Sequence, residues 1–296
     1  MTTSLITPVR PGSTGAATVQ LALVEGRRML RNPAPWLGLL LSILYAANLD
    51  GSWASGRYEG LPVSIAPLML GISVAAVGAF ARERVPVADD APLGASRRNL
   101  ARLLGGLTLV ALTAAVVVGA ATWLRVTDGL ALGDEPGATA HAHFSAPELL
   151  QPVLLAAFAV ALGAAAVHVV RQPLVAAIGL FVYWFLISTY WLFNGAVLRW
   201  LTPLQVQPVY VEVGPPDTDP TTFPYDWLLA QPGDYQDYWA RLVVSPSLAA
   251  SHDLYLVALT ALLAAVVLPG PWRRWLVAGG LTLAALAVGL QMTVTP

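Results

Sequence analysis

Seven stretches of this chain carry no charged residue: 34–49, 61–81, 103–124, 149–167, 172–198, 254–272 and 275–296. Most approach the roughly 20 apolar residues that a helix needs to cross hydrocarbon. A charge at mid-bilayer costs about 2.5–3.5 kcal/mol on the insertion scale. Seven uncharged windows in one chain therefore predict membrane helices rather than the core helices of a soluble domain. The first window is short and opens with Pro33 and Pro35. The last two are separated only by Pro269-Gly270-Pro271-Trp272-Arg273-Arg274, which predicts a tight turn between antiparallel helices. Residues 1–16 are rich in Pro, Gly, Ser and Thr, so no signal peptide is expected there.

Charge placement orients these windows. With seven crossings, Arg10, Arg27, Arg28, Arg31, Arg82, Arg84, Arg97, Arg98, Arg102, Arg171, Arg273 and Arg274 share one side. Arg57, Arg125, Arg199 and Arg241 fall on the other. The positive-inside rule then puts the N-terminus in the cytoplasm and Pro296 outside. Acidic residues run the opposite way: Glu25, Glu83, Asp89 and Asp90 are inside, and the rest, from Asp50 to Asp253, are outside.

Composition agrees and excludes several functions. Hydrophobic residues are 56% of 296 and charged residues 11%, against about 25% charged in a soluble domain. The net charge of −1 gives no basic field for nucleic acid. Cysteine is absent, which removes disulfides, thiolate metal sites and a cysteine nucleophile. All sixteen basic residues are arginine, so a retinal-type Schiff base has no lysine to form on.

Two inner segments stand out. Residues 16–31 place Val19, Leu23, Gly26, Leu30 and Leu21, Val24, Arg28 at helical spacing, with Arg27, Arg28 and Arg31 crowding the C-terminal end. A helix C-terminus favours cations, and an amphipathic basic helix suits the inner interface. Asn32-Pro33 then turns the chain into the first window. Residues 82–102 form the main inner loop, with Asp89-Asp90-Ala91-Pro92 suited to capping a short helix and Ser96 suited to starting the third span.

The order of these pieces resembles the membrane subunit of the second type of ATP-binding-cassette exporters, which move antibiotics, polysaccharides and lipids outward. Arg82-Glu83, Asp89-Asp90, Pro92 and Ser96-Arg97-Arg98 are similar to that family's coupling-helix segment. Residues 17–31 with Arg31-Asn32-Pro33 are similar to its elbow helix. The resemblance covers the chain in layout and these two segments in motif. It departs in a seventh window, where six are usual, and in Val85-Pro86-Val87, where Gly-Thr is usual. It implies a bacterial plasma-membrane permease without chemistry of its own, no catalytic or metal site, and no cofactor in this chain. The implied partners are membrane lipid, a second permease copy or paralogue, and an ATPase subunit holding ATP and magnesium. Docking would fall to Arg27, Arg28, Arg31, Arg82, Glu83, Asp89, Asp90, Arg97 and Arg98.

The expected organisation is an all-α polytopic transmembrane bundle, a six-span core plus a C-terminal span. It comprises an N-terminal part with an interfacial helix (1–33), spans one to five (34–198), an outer loop (199–253) and spans six and seven (254–296). The outer loop is rich in Trp, Tyr, Pro and Asp, a composition that packs rather than one that stays unfolded. In the fifth window Tyr183, Ile187, Tyr190, Trp191 and Asn194 share one helical face, with Ser188 beside it, as a candidate substrate pathway. The resemblance adds the second span to that route. The third, fourth and sixth windows are Ala/Gly/Val/Leu-rich and suit close-packed scaffold helices.

Other chemistries fit poorly. Gly71-Ile72-Ser73 is similar to the start of an intramembrane serine-protease motif, but Val74 replaces its glycine. His168, the one histidine placed near a window, is about 10 Å off in depth. His141 and His143 lack a clear third metal ligand. The windows hold no carboxylate of the kind a proton-coupled carrier uses, and the chain has no GxxxxGK[ST] motif, so energy is expected from a separate ATPase. The alternative is a non-transporting scaffold or assembly factor working through its outer loop.

Overall fold

A computed structural model describes residues 14–49, 56–81, 93–129, 143–189, 201–204, 210–211, 241–242 and 246–294. Among them are nine helices: α1 Thr14–Leu30, α2 Pro33–Ala47, α3 Gly56–Ser64, α4 Ala66–Ala81, α5 Ala95–Val126, α6 Ala146–Val170, α7 Pro173–Thr189, α8 Pro246–Val267 and α9 Pro271–Val294. One two-residue antiparallel pairing joins Tyr210–Val211 to Arg241–Leu242. The fold is an all-α bundle, as expected.

Each uncharged window holds a helix. Five runs are long and apolar enough to cross a membrane: Gly60–Ala81, Ala95–Val126, Ala146–Val170, Pro246–Val267 and Pro271–Thr293. The helices of the first and fifth windows are shorter in the described residues, at 15 and 17 residues. At 1.5 Å per residue these reach about 22 and 26 Å, short of a hydrocarbon core of about 30 Å.

Local chemistry sets the boundaries. Asn32 caps α2 by accepting from the Ala34 amide at 3.0 Å, and Pro33 supplies a first-turn residue that needs no N–H partner. Glu148 Oε2 accepts from the Ser145 amide at 2.7 Å at the start of α6. Pro67 has no N–H to give the turn before it, and the second span is interrupted at Ile65. Between α8 and α9 the turn is tighter than the sequence suggests. Gly270 takes φ +99°, a value suited to glycine, and Pro271 already starts α9. Ser96 does not start the third span. Gly94 does, and the Ser96 hydroxyl instead reaches Pro269 O at 3.3 Å.

Helix α4 sits at the centre, packed by α2, α6 and α7. Gly71 meets the α2 backbone at Ala34, Gly38 meets the α4 backbone at Pro67, and Gly163 of α6 meets Ser73. Small residues permit this approach where lipid offers no hydrophobic drive to bring helices together. The apolar window of the run Gly60–Ala81, which joins the end of α3 to α4, is 72% buried, so the span that the resemblance places along a route lies inside the bundle. The third window corrects the scaffold expectation. Only 22% of the α5 window is buried, and between residues 111 and 126 only Thr113 and Leu124 are buried. Helix α9 packs chiefly on α8.

Candidate functional site

Of the arginines that the sequence assigns to the inner side, Arg27, Arg28, Arg97, Arg98 and Arg102 lie around one helix crossing. Helix α1 packs along α5 through Ala22, Glu25, Gly26 and Met29, one face at i, i+3, i+4 and i+7. The apolar positions Val19, Leu23 and Val24 face away from this contact and are left exposed, as an interfacial helix requires. The crossing requires small residues. A Cβ on Gly26 would meet Thr108 Cγ2 at 2.6 Å, and one on Gly105 would meet Ala22 O at 2.9 Å. Arg27 and Arg28 follow directly on α1, and Arg28 pairs with buried Glu25 at 3.1 Å. On α5, exposed Arg97 and half-buried Arg98 lie about two turns before Gly105; Arg98 donates to Leu93 O at 2.5 Å. Arg31 is exposed just beyond α1. Arg82, Glu83, Asp89 and Asp90 lie outside the described residues.

Arg102, the last charge of the inner loop in the sequence, is buried. Its guanidinium lies 5.9 Å from the Phe80 ring of α4 and donates to Asn99 Oδ1 at 3.4 Å. Asn99 Nδ2 in turn donates to Val267 O at 3.0 Å. The start of α5 is thus fastened to α1, to the end of α4 and to the end of α8. Helix α1, the end of α4, the start of α5 and the end of α8, all on the inner side by the arginine count, meet at this one end.

At the opposite end a cavity of about 260 Å³ opens between α2 and α5. Ile43, Leu68, Ala120, Ala121, Pro152 and Leu155 are among its walls, with Ser42, Ser64, Glu148 and Gln151 as polar insertions. A second cavity of about 420 Å³ continues from it, sharing Ala121, Leu124, Phe144 and Leu149 and adding Arg125, Asp128 and His143. No window pattern pointed to this space. It arises because α2 packs on α4 while α5 packs on α1 and α6.

Of the predicted pathway residues, Tyr183, Ile187 and Ser188 are described. The Tyr183 ring lies against Phe158 and Trp184, at 6.5 and 5.5 Å between centroids, and Ile187 is buried. Both face the bundle's own core. Ser188 donates to Phe185 O at 2.9 Å, and Tyr190, Trp191 and Asn194 fall outside the described residues. The bare face of α7 carries Leu174, Ile178, Phe181 and Phe185 instead. Ser73 is fully buried, donates to Met69 O and accepts from Trp184 Nε1, so a packing link occupies the position of a supposed nucleophile.

Two further expectations are corrected. Helix α8 starts at Pro246, which brings His252 and Asp253 into a membrane-length helix. His252 is fully buried, its ring 3.0 Å from Pro203 O and 3.4 Å from Gln291 Oε1. Asp253 is 6% exposed and its Oδ1 has no hydrogen-bond partner, so a carboxylate does lie within a span. His168 is exposed at the last turn of α6. Among the described residues no three His, Asp or Glu side chains gather as metal ligands. No protein-family model, curated protein or solved structure matches this chain.

Proposed function

We propose that this chain is the membrane half of an exporter, paired with a second copy or a paralogue and driven by a separate ATPase subunit. One observation carries the reading. Helix α5 runs unbroken for 32 residues, about 48 Å, from the inner arginines to the wall of the outer cavity. Its sequence from Ala95 to Val126 contains no proline to bend it. Force applied at Arg97, Arg98 and the basic end of α1 therefore reaches the cavity through one element. The glycine contact at Gly26 and Gly105 keeps α1 and α5 moving together. ATP and magnesium belong to the partner, and no chemistry on the cargo is required.

The test is isolation of the chain from its native membrane. A Walker-motif ATPase co-purifies with the wild type and is lost when Arg97 and Arg98 are both changed to Glu. Absence of any ATPase, together with full activity of that charge-reversed variant, sinks the reading.

Asp253 favours a second reading, a proton-coupled carrier, because a buried carboxylate in a span suits proton exchange. Export in vesicles separates the two. Collapsing the proton gradient with an ionophore stops such a carrier and leaves ATP-driven export running.

A further inference from the structure

The two outer cavities form one space with opposite ends. The apolar end follows α5 from Val116 to Leu124, about 12 Å, and is lined mainly by aliphatic side chains, with Glu148 as the charged residue in its wall. It opens on the flank of the bundle between exposed Ile43 of α2 and Ala120 of α5. The other end is charged. Arg125 and Asp128 stand at the end of α5, and His143 faces them. Asp128 is held in the left-handed region at φ 61°, and Gly129 closes the helix by donating to Leu124 O at 2.7 Å. That C-terminus carries the negative end of the helix dipole, which adds to the Asp128 carboxylate. A cation is favoured at Asp128 and an anion at Arg125, within one ligand.

We propose that this groove binds an acyl-chain amphiphile with a zwitterionic phosphate-and-amine headgroup. The chain lies between α2 and α5, the phosphate meets Arg125, and the amine meets Asp128 and the end of α5. The combined space falls in the range of about 300–1,000 Å³ typical of small-ligand sites. Binding goes beyond the exporter reading and needs no ATPase. Only the identification of this ligand as cargo rests on that reading.

The full chain, purified into nanodiscs, is labelled with phosphatidylethanolamine bearing a photoactivatable diazirine on its chain. Cross-links are expected to concentrate on 116–124, 39–46 and 149–155, and to fall at least tenfold with excess unlabelled phosphatidylethanolamine. Ala120→Trp fills the groove and cuts labelling at least tenfold, whereas Leu281→Trp on α9 leaves it unchanged. A phosphatidylglycerol probe, lacking the amine, labels at least threefold less, and Asp128→Asn removes that difference. The competition and probe comparisons use the wild type, so they decide the matter even if Ala120→Trp fails to fold. Labelling spread evenly over the bare faces of α7 and α9, or equal capture of both probes by the wild type, means annular lipid only and overturns the proposal. Loss of ATPase co-purification with labelling intact would instead overturn the exporter reading alone.

Discussion

The indole Nε1–H of Trp184 donates to Ser73 Oγ at 3.1 Å, joining α7 to the central helix across 111 positions of sequence. Ser73 keeps its own bond to Met69 O at 2.9 Å, so the two partners are not equivalent. Ser73→Ala strands a buried indole N–H and is expected to cost about 1–3 kcal/mol. Trp184→Phe leaves Ser73 satisfied by its own turn, keeps most of the ring, and should cost nearer 1 kcal/mol. Denaturation of both variants and the double variant in detergent checks this order. Trp184→Phe proving costlier than Ser73→Ala would show that ring packing, not the hydrogen bond, sets the link.

Gly105→Val tests the crossing of α1 on α5. Branched bulk there meets the Ala22 carbonyl and the Gly26 amide, backbone atoms that cannot swing aside. A loss of about 1–3 kcal/mol is expected. Denaturation in detergent reads the loss, with Gly105→Ala expected to fall between the wild type and the valine variant.

Asn99→Ala removes the side chain that both caps Val267 O and receives Arg102. It leaves a buried carbonyl and a buried guanidinium each short of a partner, so a loss of about 1–3 kcal/mol is expected. Asn99→Ala and Arg102→Met should be strongly non-additive in a double-mutant cycle, since they act in one chain of contacts. Additive losses would mean that the two residues act independently.

His252→Phe keeps an aromatic ring on α8 but removes the bonds to Pro203 O and Gln291. Limited proteolysis should show faster cleavage around 201–204, while α4 and α6 keep their hydrogen-exchange protection. Unchanged cleavage would place the anchor of this segment on Tyr255, which donates to Leu201 O at 3.0 Å.

The helices were legible because lipid forces each backbone group to pair within its own segment, so a run without charge is close to a helix assignment. The start of α8 was hidden by the same logic. His252 and Asp253 end the uncharged run, yet tertiary contacts bury both and the helix continues through them. The Asn32-Pro33 turn was readable because cap and proline act within three residues. The link from Trp184 to Ser73 and the groove between α2 and α5 were not, since each depends on which helices pack together. The buried role of Arg102 left no mark distinguishing it from Arg97 or Arg98, one turn earlier on the same helix.

Helix α5 also measures the membrane. Arg102 and Arg125 bracket its 22 uncharged residues, a length of about 33 Å, close to a typical hydrocarbon thickness of about 30 Å. Arg102 is fastened at the inner end by Asn99 and Phe80, so any mismatch with the surrounding lipid must be taken up at the other. A thinner bilayer lifts the mouth of the groove clear of the headgroups, and a thicker one draws Arg125 below them. Mismatch costs only fractions of a kcal/mol per Å, so the fold tolerates both. Access to the groove would not, and the acyl length of the host membrane becomes a setting on this protein.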